Sequence, residues 1–135
     1  MARPTRQDQI AEIDNIDLSS GLVHVDAVRS ARASRLDSDT LARVSSLFAV
    51  ISDPNRLRIV RALQSTDLCV GDIAATVGLS ESAVSHHLRL LRESGLVRNR
   101  RDGRLVWYAL DDQHVIELVQ LAVDHAGHVK STDST

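Results

Sequence analysis

The sequence predicts a mainly α-helical fold with one β-hairpin near its carboxyl end. Apolar residues recur at helical spacing along much of the 135-residue chain, which favours helices that pack through apolar stripes. The apolar set is largely aliphatic, since aromatic residues make up only 2% of the chain. One later stretch is rich in β-branched and aromatic residues on both sides of Asp102-Gly103, a turn signal. Together these observations disfavour an all-β fold.

Two helices are predicted in the first third of the chain. They follow an arm of residues 1–21 that mixes charged and apolar side chains. Apolar residues near helical spacing predict one helix over 22–35 and a second over 39–50, with Leu47 and Phe48 on the apolar face of the second.

The start of a third helix is marked by Asp53-Pro54. An aspartate can accept hydrogen bonds from the first free amides of a helix, and a proline presets φ for the first turn. We expect this helix to run from Pro54 to about Gln64. Its predicted core face consists of Leu57, Val60 and Leu63.

Two further helices are joined by a short turn. The first is predicted over Val70–Val77 and closed by Gly78, and the second is capped by Ser80 and stopped near Gly95. Three residues stand at relative positions 5, 9 and 15 of a helix-turn-helix: Ala74, Gly78 and Val84. A small residue suits the helix contact, a glycine suits the turn, and a branched residue locks the second helix.

The hairpin follows, and a last helix ends the chain. Val97–Arg101 and Arg104–Ala109 read as strands, and Asp102-Gly103 between them suits a type I′ turn. Asp111 is the predicted cap of the last helix, which gives way to a polar tail.

The second helix of the pair and the hairpin form a candidate DNA-binding surface. Residues 80–109 carry six arginines and three acids, a charge of +3, so the remainder of this −2 chain carries −5. Hydroxyl, imidazole and guanidinium groups can contact phosphates and base edges in the major groove. The candidate contacts are Ser80, Ser82, Ser85, His86 and Arg89 on the helix and Arg98, Arg100, Arg101 and Arg104 on the hairpin. The combination of helix and hairpin predicts a winged helix-turn-helix. On the helix, His87 can face inward rather than toward DNA. The alternatives are that the basic segment is a solvated surface strand and that the two helices are an ordinary helical hairpin.

These motifs resemble those of the ArsR/SmtB family of metal-responsive repressors. The resemblance covers about residues 39–128 and rests on four runs: Asp53-Pro54-Asn55-Arg56-Leu57-Arg58-Ile59, Leu68-Cys69-Val70-Gly71-Asp72-Ile73, Ser80-Glu81-Ser82-Ala83-Val84-Ser85-His86-His87-Leu88 and Arg101-Asp102-Gly103-Arg104. It implies a homodimer joined through the N- and C-terminal helices that binds double-stranded operator DNA. It also implies that a divalent metal ion releases the DNA.

The last helix carries a candidate metal site made of Asp112, His114, His125 and His128. At about 100° per residue, His114 and His125 lie only ~20° apart around the helix, and His128 lies ~40° to the other side. At 1.5 Å per residue, however, His114 and His125 are roughly 16 Å apart along the axis, too far to share one ion. An antiparallel pair of these helices in a two-fold dimer would bring the donors together as two N₃O sites.

Zinc is the metal that this tetrahedral donor set favours, and cobalt or nickel are the alternatives. Taken singly, Asp112 reads as a first-turn acid, His114 as a surface residue and His128 as part of a frayed end. The family has a second metal site, of which Cys69 and Asp72 match the helix portion. The N-terminal segment 1–38, which holds the arm and the first helix, contains no cysteine and offers only His24 and acids. We therefore expect Cys69 to be a buried, inert thiol and His24 a non-ligand.

The expected organisation is an arm with a first dimerisation helix over 1–38, a winged-helix and metal-sensing domain over 39–126, and a polar tail over 127–135. The expected function is a metal-released repressor, and the alternative is a DNA-binding regulator with a structural metal or a non-metal inducer. No H-E-x-x-H, nucleophile with base, or phosphate loop supports an enzyme. No apolar run long enough for a membrane span or signal peptide is found, so a cytoplasmic location without membrane association is expected.

Overall fold

The computed structural model describes residue 3 and residues 24–132 and divides into two units, 1–44 and 45–135. The predicted arm therefore lies outside the described residues except for Arg3. The elements are α1 (Val25–Ala33), α2 (Ser38–Ile51), α3 (Pro54–Leu63), β1 (Leu68–Cys69), α4 (Val70–Val77), α5 (Glu81–Glu93), β2 (Val97–Asp102), β3 (Leu105–Leu110) and α6 (Gln113–Thr132). This order confirms a mainly α-helical chain with one hairpin.

The first unit holds α1 and the start of α2. No residue of α1 is buried. Asp37 caps α2 by accepting hydrogen bonds from the Thr40 amide at 2.7 Å and the Thr40 hydroxyl at 3.0 Å. These bonds stabilise the carboxylate, so they lower the pKa of Asp37 below its usual value.

The second unit has one aliphatic core that joins its helices to the sheet. The core consists of Ile59, Val60, Leu63, Ile73, Ala74, Val84, Leu88, Leu91, Leu96, Val97, Leu110, Val115 and Val119. Because these residues come from α3 to α6 and from both hairpin strands, burial of one aliphatic cluster fixes α5 against the hairpin.

The helix α3 begins as predicted, but its core face is rotated. Asp53 accepts a hydrogen bond from the Arg56 amide at 3.0 Å, with Pro54 in the first turn. The predicted core residue Leu57 is 41% exposed, whereas Ile59 is fully buried. At ~100° per residue, Leu57 lies ~60° beyond Val60, outside the arc that faces the core.

The helix-turn-helix of α4 and α5 is confirmed. Gly78 ends α4 in the left-handed region at φ 74°, and its amide donates to the Ala74 carbonyl. Ala74 and Val84 are buried where the two helices meet. Glycine is suited to this position because other residues are strained at positive φ.

The sheet has three strands in the order β1-β3-β2, all antiparallel. The strand β1 was not predicted, because two residues are too short to show an alternating pattern. The expected type I′ turn at Asp102-Gly103 is wrong: Asp102 pairs with Leu105, so the turn residues are Gly103 and Arg104. Among the described residues only glycines have positive φ, and Gly103 has φ 61°. Positive φ at the first turn residue alone fits a type II′ turn.

The last helix is capped by Asp112 rather than by the predicted Asp111. The Val115 amide donates to Asp112 Oδ1 at 3.1 Å, the i to i+3 geometry of a cap. The backbone stays helical to Thr132, beyond the start of the expected tail. Within the described residues, no helix is both long and apolar enough to cross a membrane.

Candidate DNA-binding surface and metal centre

The helix α5 separates core residues from candidate DNA contacts. Val84, Leu88 and Leu91 are buried on one face. All five predicted helix contacts are exposed on the remainder: Ser80, Ser82, Ser85, His86 and Arg89. The Ser80 hydroxyl also accepts a hydrogen bond from the Ala83 amide at 3.1 Å, so this serine caps the helix.

His87 is the inward-facing imidazole of α5. It is only partly exposed, and its ring centre lies 6.0 Å from that of His86. Its Nδ1 is buried and has no hydrogen-bond partner among the described residues. The Arg56 amide chiefly, and then the charges of Arg56 and His87, lower the pKa of Asp53. His87 thus belongs to the junction of α5 and the start of α3.

The wing is formed by β2, β3 and their turn. Its four predicted arginines, Arg98, Arg100, Arg101 and Arg104, are all exposed. Arg100 differs from the others because its guanidinium lies 5.5 Å from the centre of the Trp107 ring and its Nη2 lies 3.7 Å from Asp67 Oδ2. These contacts hold Arg100 against the sheet, where it also pairs in register with Trp107.

Two cavity-lining residues were missed by the sequence reasoning. Arg92 and Tyr108 share a cavity with Ser85 and Arg89. Arg92 could have been found, because it lies seven residues after Ser85 and so returns to the same helix face. Tyr108 could not, since its position depends on how β3 packs against α5.

The candidate metal ligands lie at two separate places on α6. Asp112 and His114 meet at its start, with Asp112 Oδ1 3.6 Å from His114 Nδ1, and the His114 side chain is 92% exposed. His125 and His128 are exposed one turn apart near the other end. In the part of the chain that the structure describes, no three His, Cys, Asp or Glu side chains come close enough to hold a metal. Within the described residues, the four candidate ligands therefore lie in two pairs at separate places on α6.

Cys69 is only partly buried, whereas a buried thiol was expected. It begins α4, where its amide donates to Asp72 Oδ2 at 3.1 Å. Partial burial and then the charge of Asp72 raise the pKa of the Cys69 thiol, while Arg100 lowers it. A raised pKa means less thiolate, the form that binds metals and reacts. His24, the other doubtful ligand, is exposed just before α1.

Comparison with known proteins gives a consistent result. Residues 53–99 match the family model described as bacterial regulatory protein, arsR family. The chain is 44% identical to a transcriptional repressor SmtB homolog of Synechocystis, over 77% of this chain and 79% of that protein. It is 37% identical to a cadmium resistance transcriptional regulatory protein CadC homolog of Staphylococcus aureus, over 81% of this chain and 90% of that protein.

A solved structure supports the same assignment of fold. The homodimeric winged helix-turn-helix DNA-binding domain of a possible ArsR-family regulator from Mycobacterium bovis has a TM-score of 0.66 and 26% identity. The match covers 73% of this chain and 94% of that one. The architecture of α4, α5 and the β2–β3 hairpin is thus a winged helix-turn-helix.

Proposed function

Because this chain belongs to the arsR family of bacterial DNA-binding transcriptional regulators, we propose that it is a homodimeric repressor whose operator is released when zinc binds. The dimer is proposed to form through its N- and C-terminal helices, α1 and α6, with cobalt or nickel as alternative metals. Operator DNA is the proposed partner, and we propose a cytoplasmic location for the same reason. The relatives that this chain matches are transcriptional regulators, not enzymes.

The observation that carries the metal proposal is the arrangement of donors on α6. Asp112 and His114 are already adjacent, and both are solvent-exposed. His125 and His128 lie on the same helix face about three turns away. Pairing α6 antiparallel with its copy would complete an N₃O set at each end, and what a bound ion would supply is a cross-link between the two helices.

Release of DNA would follow from fixing the spacing of the two winged helices. A dimer reads two half-sites about one turn of DNA apart, so the distance between its two copies of α5 must match that spacing. Cross-linked α6 helices would hold the two copies of α5 at a spacing that does not match the half-sites, so DNA binding would cost more free energy. His125 is further proposed to donate a hydrogen bond from its second ring nitrogen to a carbonyl oxygen near the end of α5, around residues 92–95.

The closing experiment is a thermodynamic cycle on the full-length protein. Zinc affinity is measured with and without operator for wild type, His114→Ala, His125→Ala and Asp112→Ala. Reciprocity requires that operator weaken zinc binding by the factor with which zinc weakens operator binding, roughly 5- to 150-fold for typical coupling. If zinc affinity is equal with and without operator, then the metal has a structural role or the repressor responds to another inducer.

The DNA surface is tested separately from the metal. Ser85→Ala and His86→Ala are expected to weaken operator binding, and Arg104→Ala chiefly to reduce its salt dependence, while zinc affinity is retained. Unchanged operator affinity in all three variants would contradict docking through α5 and the wing.

A further inference from the structure

A cavity of about 530 Å³ is lined by residues of the helix α5 and the strand β3. Its lining consists of Ser85, Leu88, Arg89, Arg92, Glu93 and Tyr108. The cavity is distinct from the metal half-sites, because none of the four candidate ligands on α6 contributes to its lining.

The position of the cavity is fixed by the core. Ser85, Arg89 and Arg92 follow one another at i, i+4 and i+7, so they form one row along α5. Leu88, which is buried, anchors this helix, and Tyr108 packs against the same core from β3. The row of polar groups and the tyrosine ring therefore belong to two elements that pack on the same core and line the same cavity.

The donors in this cavity are not used within the protein. Among the described residues, the guanidinium groups of Arg89 and Arg92 make no hydrogen bond or ion pair. The Tyr108 hydroxyl makes no hydrogen bond there either. Glu93 forms no ion pair with either arginine, although it lines the same cavity. Two guanidiniums and one carboxylate leave a single positive charge and many free N–H donors.

We propose that this cavity binds a phosphate of the operator DNA backbone, with Arg92 and Tyr108 as contacts beyond the exposed row already described. A guanidinium can donate two parallel hydrogen bonds to phosphate oxygens, and a phenol can add a third. Ser85 and Arg89 line the cavity and are also exposed candidate DNA contacts, so a DNA strand lying along α5 would come close to it. This inference rests on DNA binding and does not depend on the metal.

The test compares operator affinity at several salt concentrations for Arg92→Ala, Tyr108→Phe and the control Arg58→Ala. Arg58 is an exposed arginine of α3 that hydrogen-bonds Asn55, outside the cavity. Arg92→Ala is expected to weaken binding by roughly tenfold or more and to reduce the salt slope by about one. The loss should be similar on non-operator duplex, because a phosphate contact carries no sequence information. Arg58→Ala should change the affinity less than about twofold.

Two further variants sharpen the result. Tyr108→Phe keeps the ring that packs on the core and removes only the hydroxyl, so a loss of roughly two- to tenfold with an unchanged melting temperature is expected. Glu93→Gln removes the only acid of the cavity and should strengthen DNA binding and steepen its salt dependence. Circular dichroism and melting curves identify any variant that fails to fold, and Arg92→Lys, which keeps the charge but not the fork, then replaces Arg92→Ala.

Two outcomes would overturn the proposal. In the first, Arg92→Ala lowers operator affinity no more than Arg58→Ala does, while Ser85→Ala still lowers it. The docking surface would then stand without the cavity. The other is specific binding of inorganic phosphate that is lost in Arg92→Ala without any change in DNA affinity, which would make the cavity a free-anion site. If Ser85→Ala and His86→Ala are also silent, the docking surface itself is wrong.

Discussion

At the scale of single residues, the Asp112 side chain makes two contacts that serve different roles. Its Oδ1 accepts a hydrogen bond from the Val115 amide at 3.1 Å and lies 3.6 Å from His114 Nδ1. The first contact begins α6 and the second forms half of the proposed metal site. The other carboxylate oxygen makes neither contact, so capping and metal binding are compatible in one side chain.

Asp112→Asn is expected to separate these two roles. An asparagine oxygen still caps a helix, so the melting temperature should stay close to that of wild type. The neutral amide is a poor zinc ligand, so we expect zinc affinity to fall by at least the roughly 10- to 100-fold that loss of an outer-shell partner costs. Calorimetry measures the melting temperature, and chelator competition measures the zinc affinity.

Asp112→Ala is the matched control for that variant. Asp112→Ala removes both the helix cap and the metal ligand. It should therefore lower the free energy of unfolding by about 0.5–2 kcal/mol and also lower the zinc affinity. Wild-type zinc affinity in both variants would remove Asp112 from the ligand set.

Cys69 is expected to take no part in metal sensing. Partial burial and Asp72 raise its thiol pKa, so at pH 8 the folded protein should hold less thiolate and react more slowly with iodoacetamide than the denatured chain. As the pH rises through the raised pKa of the folded state, the difference should disappear. Cys69→Ser should retain zinc-driven release, and a Co²⁺ complex with a sulfur charge-transfer band lost in this variant would contradict that.

At the scale of elements, α6 is tied to α3 by a cluster of amides. Gln64 Nε2 donates to Gln120 Oε1 at 2.8 Å, and Arg61 Nη1 donates to the same oxygen at 3.2 Å. Gln120 Nε2 in turn donates to Asp124 Oδ1 at 2.8 Å, next to His125. These bonds join the proposed sensor helix to a helix of the winged-helix core in the same chain.

We predict that Gln120→Ala weakens the coupling between zinc and operator more than it weakens either binding step alone. Loss of the Gln120 side chain removes its bonds to Gln64, Arg61 and Asp124. It leaves the longer bond from Gln64 Nε2 to the Ile116 carbonyl at 3.5 Å and the shared apolar core, whose contacts are less directional. Glu117→Ala, an exposed change on the same helix, serves as the control. Zinc and operator affinities measured in the presence and absence of each other give the coupling. If zinc weakens operator binding by the same factor in Gln120→Ala as in Glu117→Ala, the amide cluster takes no part in coupling zinc to operator.

The elements also show which features the sequence could predict. Local signals, such as Asp53-Pro54 and the glycine at 78, place helix ends well because the capping contacts lie within three or four residues. The identity of the turn residues in the hairpin and the strand β1 depend on pairing across the sheet, so they required tertiary information. For the same reason, helical spacing predicts where the candidate metal ligands lie on α6 but does not predict the cavity beside Tyr108.

At the scale of the whole molecule, a winged-helix unit leaves large apolar side chains exposed on its last helix. Leu121 is 67% exposed, and Val123 is also exposed. At ~100° per residue the two lie ~160° apart around α6, so one partner surface can cover only one of them. For Leu121 we propose a second copy of the chain as that partner. The same contact would then complete the two proposed half-sites on α6.

Leu121→Glu is predicted to shift the protein toward monomers and, with them, to lower zinc affinity. Burying a carboxylate at a dimer contact without a partner costs several kcal/mol. Leu105→Glu at the turn of the wing, where the leucine is 53% exposed, is the matched control and should stay dimeric. Sedimentation velocity decides the outcome, and a fully dimeric Leu121→Glu protein would exclude this face from the interface.

The contact between Arg100 and Trp107 has a practical consequence. The chain contains a single tryptophan, and it lies on the wing under a guanidinium, with Cys69 opposite it in the sheet. Its ultraviolet emission is therefore an intrinsic optical probe of the wing that needs no label. Operator binding should change the intensity or colour of that emission, and anisotropy of labelled DNA should report the same event independently. Agreement of the two titrations would let repressor occupancy be followed in unmodified protein.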